Sequence, residues 1–318
     1  MKLTTIGGGT GSSSILKGLK NYIDDISAVV TVADDGGSSG RLRKEYGILP
    51  PGDIRSCIQA LADSEDSMTK VLNYRFKTGD LEGHSLGNLL ILALSDIFNG
   101  FNNGIEEVSN ILNIKGKIFP MTLDNVILYA KLDDGRIIEG ESNITFLARK
   151  SRSKIVEVFL KPFNVNASEG ISEKIFESDY IILGPGSLFT SIMPNLLVKE
   201  IREALINTRA KIIYIANIME QNGETNGFSI SDHVSAINHH IGENIIDYIF
   251  VNNKKISTKL LYKYFYEQNS CQIFLTKEDI KYLNSLNINI IEEDFLDTKS
   301  NFIRHDGEKI AKIIMEKL

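Results

Sequence analysis

Two adjacent carboxylates, Asp34 and Asp35, run directly into Gly36, Gly37, Ser38, Ser39 and Gly40, and then into Arg41 and Arg43. Paired carboxylates suit a hard divalent cation whose remaining shell is water or ligand oxygen. The glycines and serines offer N–H and hydroxyl donors of the kind that hold phosphate, and the arginines add positive charge. A solvated turn, or an Asp capping a short helix, is the structural alternative.

Two glycine loops stand where anion binding is expected. Gly7-Gly8-Gly9-Thr10-Gly11 follows a short apolar run and opens a helical pattern. There backbone N–H groups and the helix dipole favour negative charge, and glycine permits close approach. Ser12 stands where a third dinucleotide-binding glycine would fall, and the Lys of a P-loop is missing. A tight strand–helix turn is the alternative. Gly184-Pro185-Gly186-Ser187 follows the run "YIIL" in the same way. Beyond it, Asn217 ends a further strand, and Glu220, Asn222, Glu224 and Thr225 occupy a long polar loop. Such loops often carry function.

The remaining polar groups read more plainly. Asp53, in "PPGDIR", is placed as a helix N-cap, with a metal or substrate contact as the sharper reading. His84, Ser85 and Asn88 enter a very apolar helix; Ser85 suits its cap, His84 a structural place or an orienting contact to a ligand, and Asn88 lies off the main apolar stripe, where it can point to a ligand pocket. Arg304 precedes the last helix and suits a bidentate phosphate contact or an exposed helix start. His239 and His240 end a helix, where cations suit the dipole. No Ser–His–Asp or Cys–His arrangement and no metal-type His/Cys spacing is present.

The elements that must position these residues alternate. "LTTIGGGTGSSSILKGLKNY" predicts strand, loop and helix, and "ISAVVTVA" a buried parallel strand. Ile54, Cys57, Ile58 and Leu61 share one helix face, which makes Cys57 a core residue. In "HSLGNLLILALSDIF", Leu86, Leu89, Leu90, Ala93, Leu94, Ile97 and Phe98 form a stripe, with Ile91 and Leu92 outside it, so the helix is expected to be nearly surrounded by protein. "NVILYAKLDDGRIIEGESN" predicts a β-hairpin turning at Asp133-Asp134-Gly135, and "IVEVFLKPF" another strand. Alternation then resumes with strands "YIILGPGS", "KIIYIAN", "IIDYIFVN" and "QIFLT" separated by helices, and closes on a helix capped by Asp306.

This order predicts a doubly wound, mostly parallel α/β sheet with an antiparallel β insertion. Residues 1–100 form the first half of the core, 101–167 the insertion and 168–318 the second half. In such sheets ligands sit beyond the carboxyl ends of the strands, where all these loops fall. A net charge of −6 argues against a nucleic-acid partner. Two distant cysteines fit a reducing compartment, and no run is long enough to span a membrane. No signal peptide is expected, because a strand starts at Leu3.

The ordered set "IGGGTG", "TVADDGGSSGRLR", "PPGDIR", "GHSLGNLL", "GPGSLFTSIMPNLL", "NGET" and the late "RH" resembles the gluconeogenesis factor (YvcK-like) family over essentially the whole chain. That family shares a superfamily with the CofD-like 2-phospho-L-lactate transferases. The resemblance implies a three-layer α/β/α Rossmann-like core in a cytoplasmic bacterial protein acting in carbon metabolism, cell shape and wall synthesis. It implies binding of a UDP-sugar (UDP-N-acetylglucosamine or UDP-glucose) and a protein partner in wall synthesis; self-association is left open. The transferase branch moves a phospholactyl group from a nucleotide-linked donor with a divalent metal such as Mg²⁺. Asp34 or Asp35, with Asp53, are the nearest counterparts of its acids, and Tyr264 and Arg304 fall where nucleotide-sugar contacts are expected. "ADDGGSSGR" and "GHSLGN" follow the factor branch, which disfavours phospholactyl transfer. A nicotinamide dehydrogenase fits poorly, given Ser12 and the doubled acid.

Overall fold

The computed structural model describes residues 1–63, 66–151, 153–297 and 302–318. Seven parallel strands form the central sheet: β1 (Lys2–Gly7), β2 (Asp25–Val30), β3 (Lys117–Pro120), and, after an inserted sheet, β7 (Tyr180–Leu183), β8 (Lys211–Ile215), β9 (Tyr248–Asn252) and β10 (Asn289–Glu293). Their spatial order is β10-β9-β8-β7-β1-β2-β3. The chain winds outward from β1 to β3, returns to the other side of β1 at β7, and winds outward again. The switch point therefore lies between β1 and β7, which pair in register from Leu3 with Tyr180 to Ile6 with Leu183. A doubly wound sheet opens its crevice at that place.

Both faces of the sheet are covered, as near-continuous β-branched strands require. On one face Leu3, Ile26, Ile182 and Ile213 pack with α1 (Gly9–Leu19), α3 (Gly52–Leu61) and α14 (Gly307–Lys317). On the other, Ile6, Val29, Ile181 and Ile212 pack with α8 (Ile171–Glu177), α10 (Lys199–Asn207) and α11 (Ile230–Ile241). The architecture is thus a three-layer α/β/α fold. Cys57 is fully buried in α3, as the helical spacing predicts.

Among residues 101–167, the antiparallel sheet is β4 (Ile127–Leu132), β5 (Ile137–Glu139) and β6 (Ile155–Lys161), in the order β5-β4-β6. Leu128, Ala130, Leu132, Ile138, Val158 and Leu160 bury one face of it against the second core. α6 (Phe101–Ile111) and β3 belong to the main sheet and its helical layer, so the inserted sheet is narrower than the predicted segment. α7 (Glu141–Ser151) follows β5 directly, and its first residues take up the end of the predicted hairpin segment.

Three expectations are corrected. "QIFLT" is not a strand: Gln272 makes one bridge, to Met219, and the outermost strand is β10, reached through α13 (Lys277–Ser285). A helix precedes each segment, but α12 (Thr258–Gln268) lies at the switch-point cavity rather than carrying the chain back to the sheet edge, and the next parallel strand forms only after α13. α5 (Leu86–Ile97) is not surrounded: it buries Gly87, Asn88, Ile91 and Ser95, while Ile97 and Phe98 are exposed. Small and polar residues allow its close contact with α3 and α6, so leucine count misplaced its inner face. Asp53 is not an N-cap, since Pro51 holds that position and Asp53 lies inside α3. Ser85 and Asp306 do cap α5 and α14. The remaining helices are α2 (Gly37–Tyr46), α4 (Asp66–Asn73) and α9 (Met193–Leu196), with a π-helical turn at Leu188–Ile192.

Candidate functional site

A cavity of about 530 Å³ opens at the switch point, within the range of small-molecule sites. Its floor is made by the loops after β1 and β7. Gly8–Gly11 and Pro185–Ser187 both line it, and the two loops touch: a β-carbon on Gly11 would stand 2.2 Å from the Pro185 carbonyl oxygen. Gly9 has φ +63°, a conformation that favours glycine. The α1 N-cap is Gly8, which has no side chain to cap the helix, so the positive end of α1 faces the cavity, with the Gly9 amide held by Asp53. Gly7 and Gly184 lie just behind, at the ends of the paired strands.

The third wall is the polar loop after β8. Gln221 ties it to the second glycine loop: its Nε2 donates to Ser187 Oγ at 2.7 Å, and its Oε1 accepts from Leu188 N at 3.2 Å and Asn217 Nδ2 at 3.0 Å. Thr225 is fully buried and accepts from Gln221 N at 3.0 Å, so it shapes the loop from behind. Asn217 and Glu224 line the cavity. Glu224 Oε1 accepts from the Thr190 hydroxyl at 3.1 Å and lies 3.5 Å from that of Thr145. Burial pushes its carboxyl up to about 7, against the pull of these donors.

α12 and the residues before α14 supply the fourth wall, with Tyr264, Gln268, Ile303, Arg304 and His305. Tyr264 Oη accepts from Ile303 N at 3.0 Å, joining the two segments. The Arg304 guanidinium lies over the Phe302 ring at 5.5 Å. His305 Nε2 lies 3.1 Å from the Ala216 carbonyl, and burial pushes its pKa down to about 4, so it is neutral at physiological pH.

The Asp34–Arg43 stretch does something different. It forms the start of α2, and Gly36, Gly37, Ser38, Ser39 and Arg41, like the candidate ligand contacts His84 and Asn88, are not part of the cavity lining. Asp34 Oδ1 accepts from Gly36 N at 2.8 Å, and Asp35 Oδ1 from Ser142 N at 2.9 Å, in the first turn of α7. Ser39 Oγ accepts from Gly52 N at 3.2 Å, at the start of α3. Ser38 Oγ meets His84 Nδ1 at 3.0 Å and accepts from Asn88 Nδ2 at 3.1 Å, while Asn88 Oδ1 accepts from Arg55 Nε at 2.9 Å. Arg41 donates to the Asp80 and Glu82 carbonyls. These groups weld α2, α3, α5 and α7 together beneath the first glycine loop.

Asp53 joins that layer to the cavity. Its carboxylate takes the Gly9 N–H, and burial, reinforced by Asp34, pushes it up to about 7. Burial also raises Asp34. Among the described residues no three His, Cys, Asp or Glu side chains are grouped to hold a metal ion. Asp35 is engaged by α7, which leaves two coupled acids: Asp53, against Gly8 and Gly9, and Asp34, which acts on Asp53 while its Oδ1 takes the Gly36 N–H. That number suits Mg²⁺, which keeps waters and binds through one or two carboxylates plus ligand phosphates.

Glu141, Thr145 and Arg149 of α7, and Gln221, escaped the sequence reading. The α7 residues recur at i, i+4 and i+8, a polar stripe on one helix face that was available as a signal. α7 reaches the cavity because Gly223 (φ +92°) lets the β8 loop approach: a β-carbon there would lie 2.4 Å from the Thr145 carbonyl oxygen.

Comparison with known proteins agrees with this architecture. The family described as 2-phospho-L-lactate transferase CofD matches residues 3–296. A provisionally named gluconeogenesis factor of Clostridium acetobutylicum is 50% identical over 315 residues, 99% of this chain and 69% of its own length. The gluconeogenesis factor of Bacillus subtilis is 43% identical over 318 residues, covering 100% of this chain and 98% of its own. The crystal structure of a Bacillus halodurans protein of the upf0052 family superposes with a TM-score of 0.93 at 41% identity, over 99% of this chain and 98% of its own. The chain therefore belongs to the CofD family and, within it, to the gluconeogenesis-factor, YvcK-like branch.

Proposed function

We propose that this protein binds a UDP-sugar, such as UDP-N-acetylglucosamine or UDP-glucose, in the switch-point cavity. It does so as a cytoplasmic regulator in carbon metabolism, cell shape and wall synthesis. The observation that carries the reading is the meeting of two glycine loops across β1 and β7. Together they present main-chain amides and the α1 dipole to one place, as a diphosphate requires. Arg304 supplies charge to the same cavity and Tyr264 an aromatic ring. Similarity to named gluconeogenesis factors supports the role in carbon metabolism. Mg²⁺ accompanying the diphosphate would draw on Asp34 and Asp53. A partner protein then reads a shape that the ligand favours, which requires different affinities for two conformations. Titration calorimetry with UDP-N-acetylglucosamine and UDP-glucose tests this: saturable binding is expected, and a folded protein that binds neither overturns it.

The second reading is metal-assisted transfer from a nucleotide diphospho donor, favoured by the CofD match and by the acids beside the first glycine loop. Purified protein with Mg²⁺ that consumes no nucleotide-linked donor across a panel removes it.

A further inference from the structure

The cavity has two chemically distinct walls, and the nucleotide-sugar reading leaves open which takes the sugar. The wall from α12 and the residues before α14 offers an aromatic ring and a guanidinium. The wall from α7, the π-helical turn and the β8 loop offers Glu141, Thr145, Thr190 and Glu224, with Arg149 at its edge.

On this second wall hydrogen-bonding capacity is unspent. Glu224 is 6% exposed; Oε1 is held by threonine and the Phe189 and Thr190 amides also act on the carboxyl, while Oε2 has no partner at hydrogen-bond geometry among the described residues. Glu141 Oε2 is likewise buried without a partner. Asn217, 8% exposed and lining the same cavity, leaves Oδ1 unpartnered. Buried acceptors are rarely left so in native proteins, and three around one cavity mark a site that awaits donors.

The donors are neither phosphate nor a metal ion. Phosphate brings only negative charge and acceptors, and Glu141 already feels Asp34, Asp53, Glu224 and Asp35. The described acids do not group into a metal site, and Arg149 on the same wall disfavours a cation. A hydroxyl both donates and accepts, carries no charge, and satisfies a carboxyl in either protonation state.

We infer, resting on the nucleotide-sugar reading, that the wall formed by Glu141, Thr145, Thr190 and Glu224 is the subsite for the glycosyl group. Its hydroxyls engage the free oxygens of Glu141 and Glu224, and these two residues set the preference for a nucleotide sugar over the free nucleotide. The nucleoside then lies toward Tyr264 and Arg304.

The test measures UDP, UDP-glucose and UDP-N-acetylglucosamine by calorimetry on the wild type and on Glu224→Ala and Glu141→Ala. The wild type is expected to bind a UDP-sugar more tightly than UDP. Each variant is expected to lose about ten-fold or more in UDP-sugar affinity while UDP affinity changes by no more than about two-fold, the pattern for hydrogen bonds made to the sugar alone. Equal loss for UDP and UDP-sugar, or an unchanged ratio in folded variants, overturns the inference but leaves nucleotide-sugar binding intact. A wild type that binds no UDP compound removes both. Should the variants fail to fold, a crystal structure of the wild type with UDP-N-acetylglucosamine decides. Sugar oxygens beside Glu141 and Glu224 support the inference, and a sugar against Tyr264 overturns it.

Discussion

Gly11 lies directly against Pro185, so closely that a β-carbon would meet its carbonyl oxygen at 2.2 Å and its carbonyl carbon at 2.7 Å. The contact joins the loops after β1 and β7, and both partners are backbone, so neither yields easily. Gly11→Ala is expected to cost about 1–3 kcal/mol through overpacking. For a chain of 318 residues that lowers Tm by roughly 1.5–4.5 °C. Gly227→Ala has open space around its β-carbon and tests the strain of positive φ alone. A Gly11→Ala protein that melts no lower than Gly227→Ala contradicts the close contact.

Asp53 makes stability depend on pH. Its carboxyl is raised from 3.8 to about 7 in the folded chain, so between those values the folded state holds more protons than the unfolded one. The stability it contributes is fully present below the unfolded value and lost as pH rises through about 7. Glu224 acts in the same sense. The Asp53 share is on the order of 4 kcal/mol at most. Urea unfolding at about pH 5 and about pH 8 should show a smaller loss of stability for Asp53→Asn than for the wild type. Identical losses would refute the assignment.

The Ser38–His84–Asn88–Arg55 network is expected to act on stability first. Asn88→Leu removes the acceptor for Arg55 and the donor to Ser38, leaving buried partners unsatisfied at a cost of about 1–3 kcal/mol each. Denaturant midpoints should fall while the cavity, lined by other residues, keeps its ligand affinity in folded protein. Loss of affinity without loss of stability would make this network part of the site.

The two thiols should differ. Cys57 is fully buried in α3, and burial pushes its pKa well above the ordinary range; Cys271 is exposed. A thiol reagent at neutral pH is expected to label Cys271 in the native protein and both residues only after denaturation. Rapid native labelling of Cys57 would show that α3 opens readily.

Much of this molecule was legible in order. Strand–glycine–helix punctuation at Ile6–Gly11 and Leu183–Ser187 is local, and so are the caps at Ser85 and Asp306 and the turn at Asp133–Gly135; local backbone preferences decide such features. The doubly wound sheet follows from the same alternation. α5 was harder, because Gly87, Asn88 and Ser95 face inward for closeness and hydrogen bonding while Ile97 stays exposed. β10 was harder still, since a half-polar edge strand carries little hydrophobic signal.

Residue types alone marked Asp34 to Arg43 as chemically able, and that much the sequence determined. Only the tertiary structure decided where that ability is spent. Ser38, Ser39 and Asp35 are consumed by His84, Asn88, Gly52 and Ser142, partners as far as 107 residues away. Glu141 and Glu224 instead share one wall of the cavity with oxygens left over. Whether a polar group is satisfied depends on neighbours brought together by packing, and no one-dimensional pattern records them.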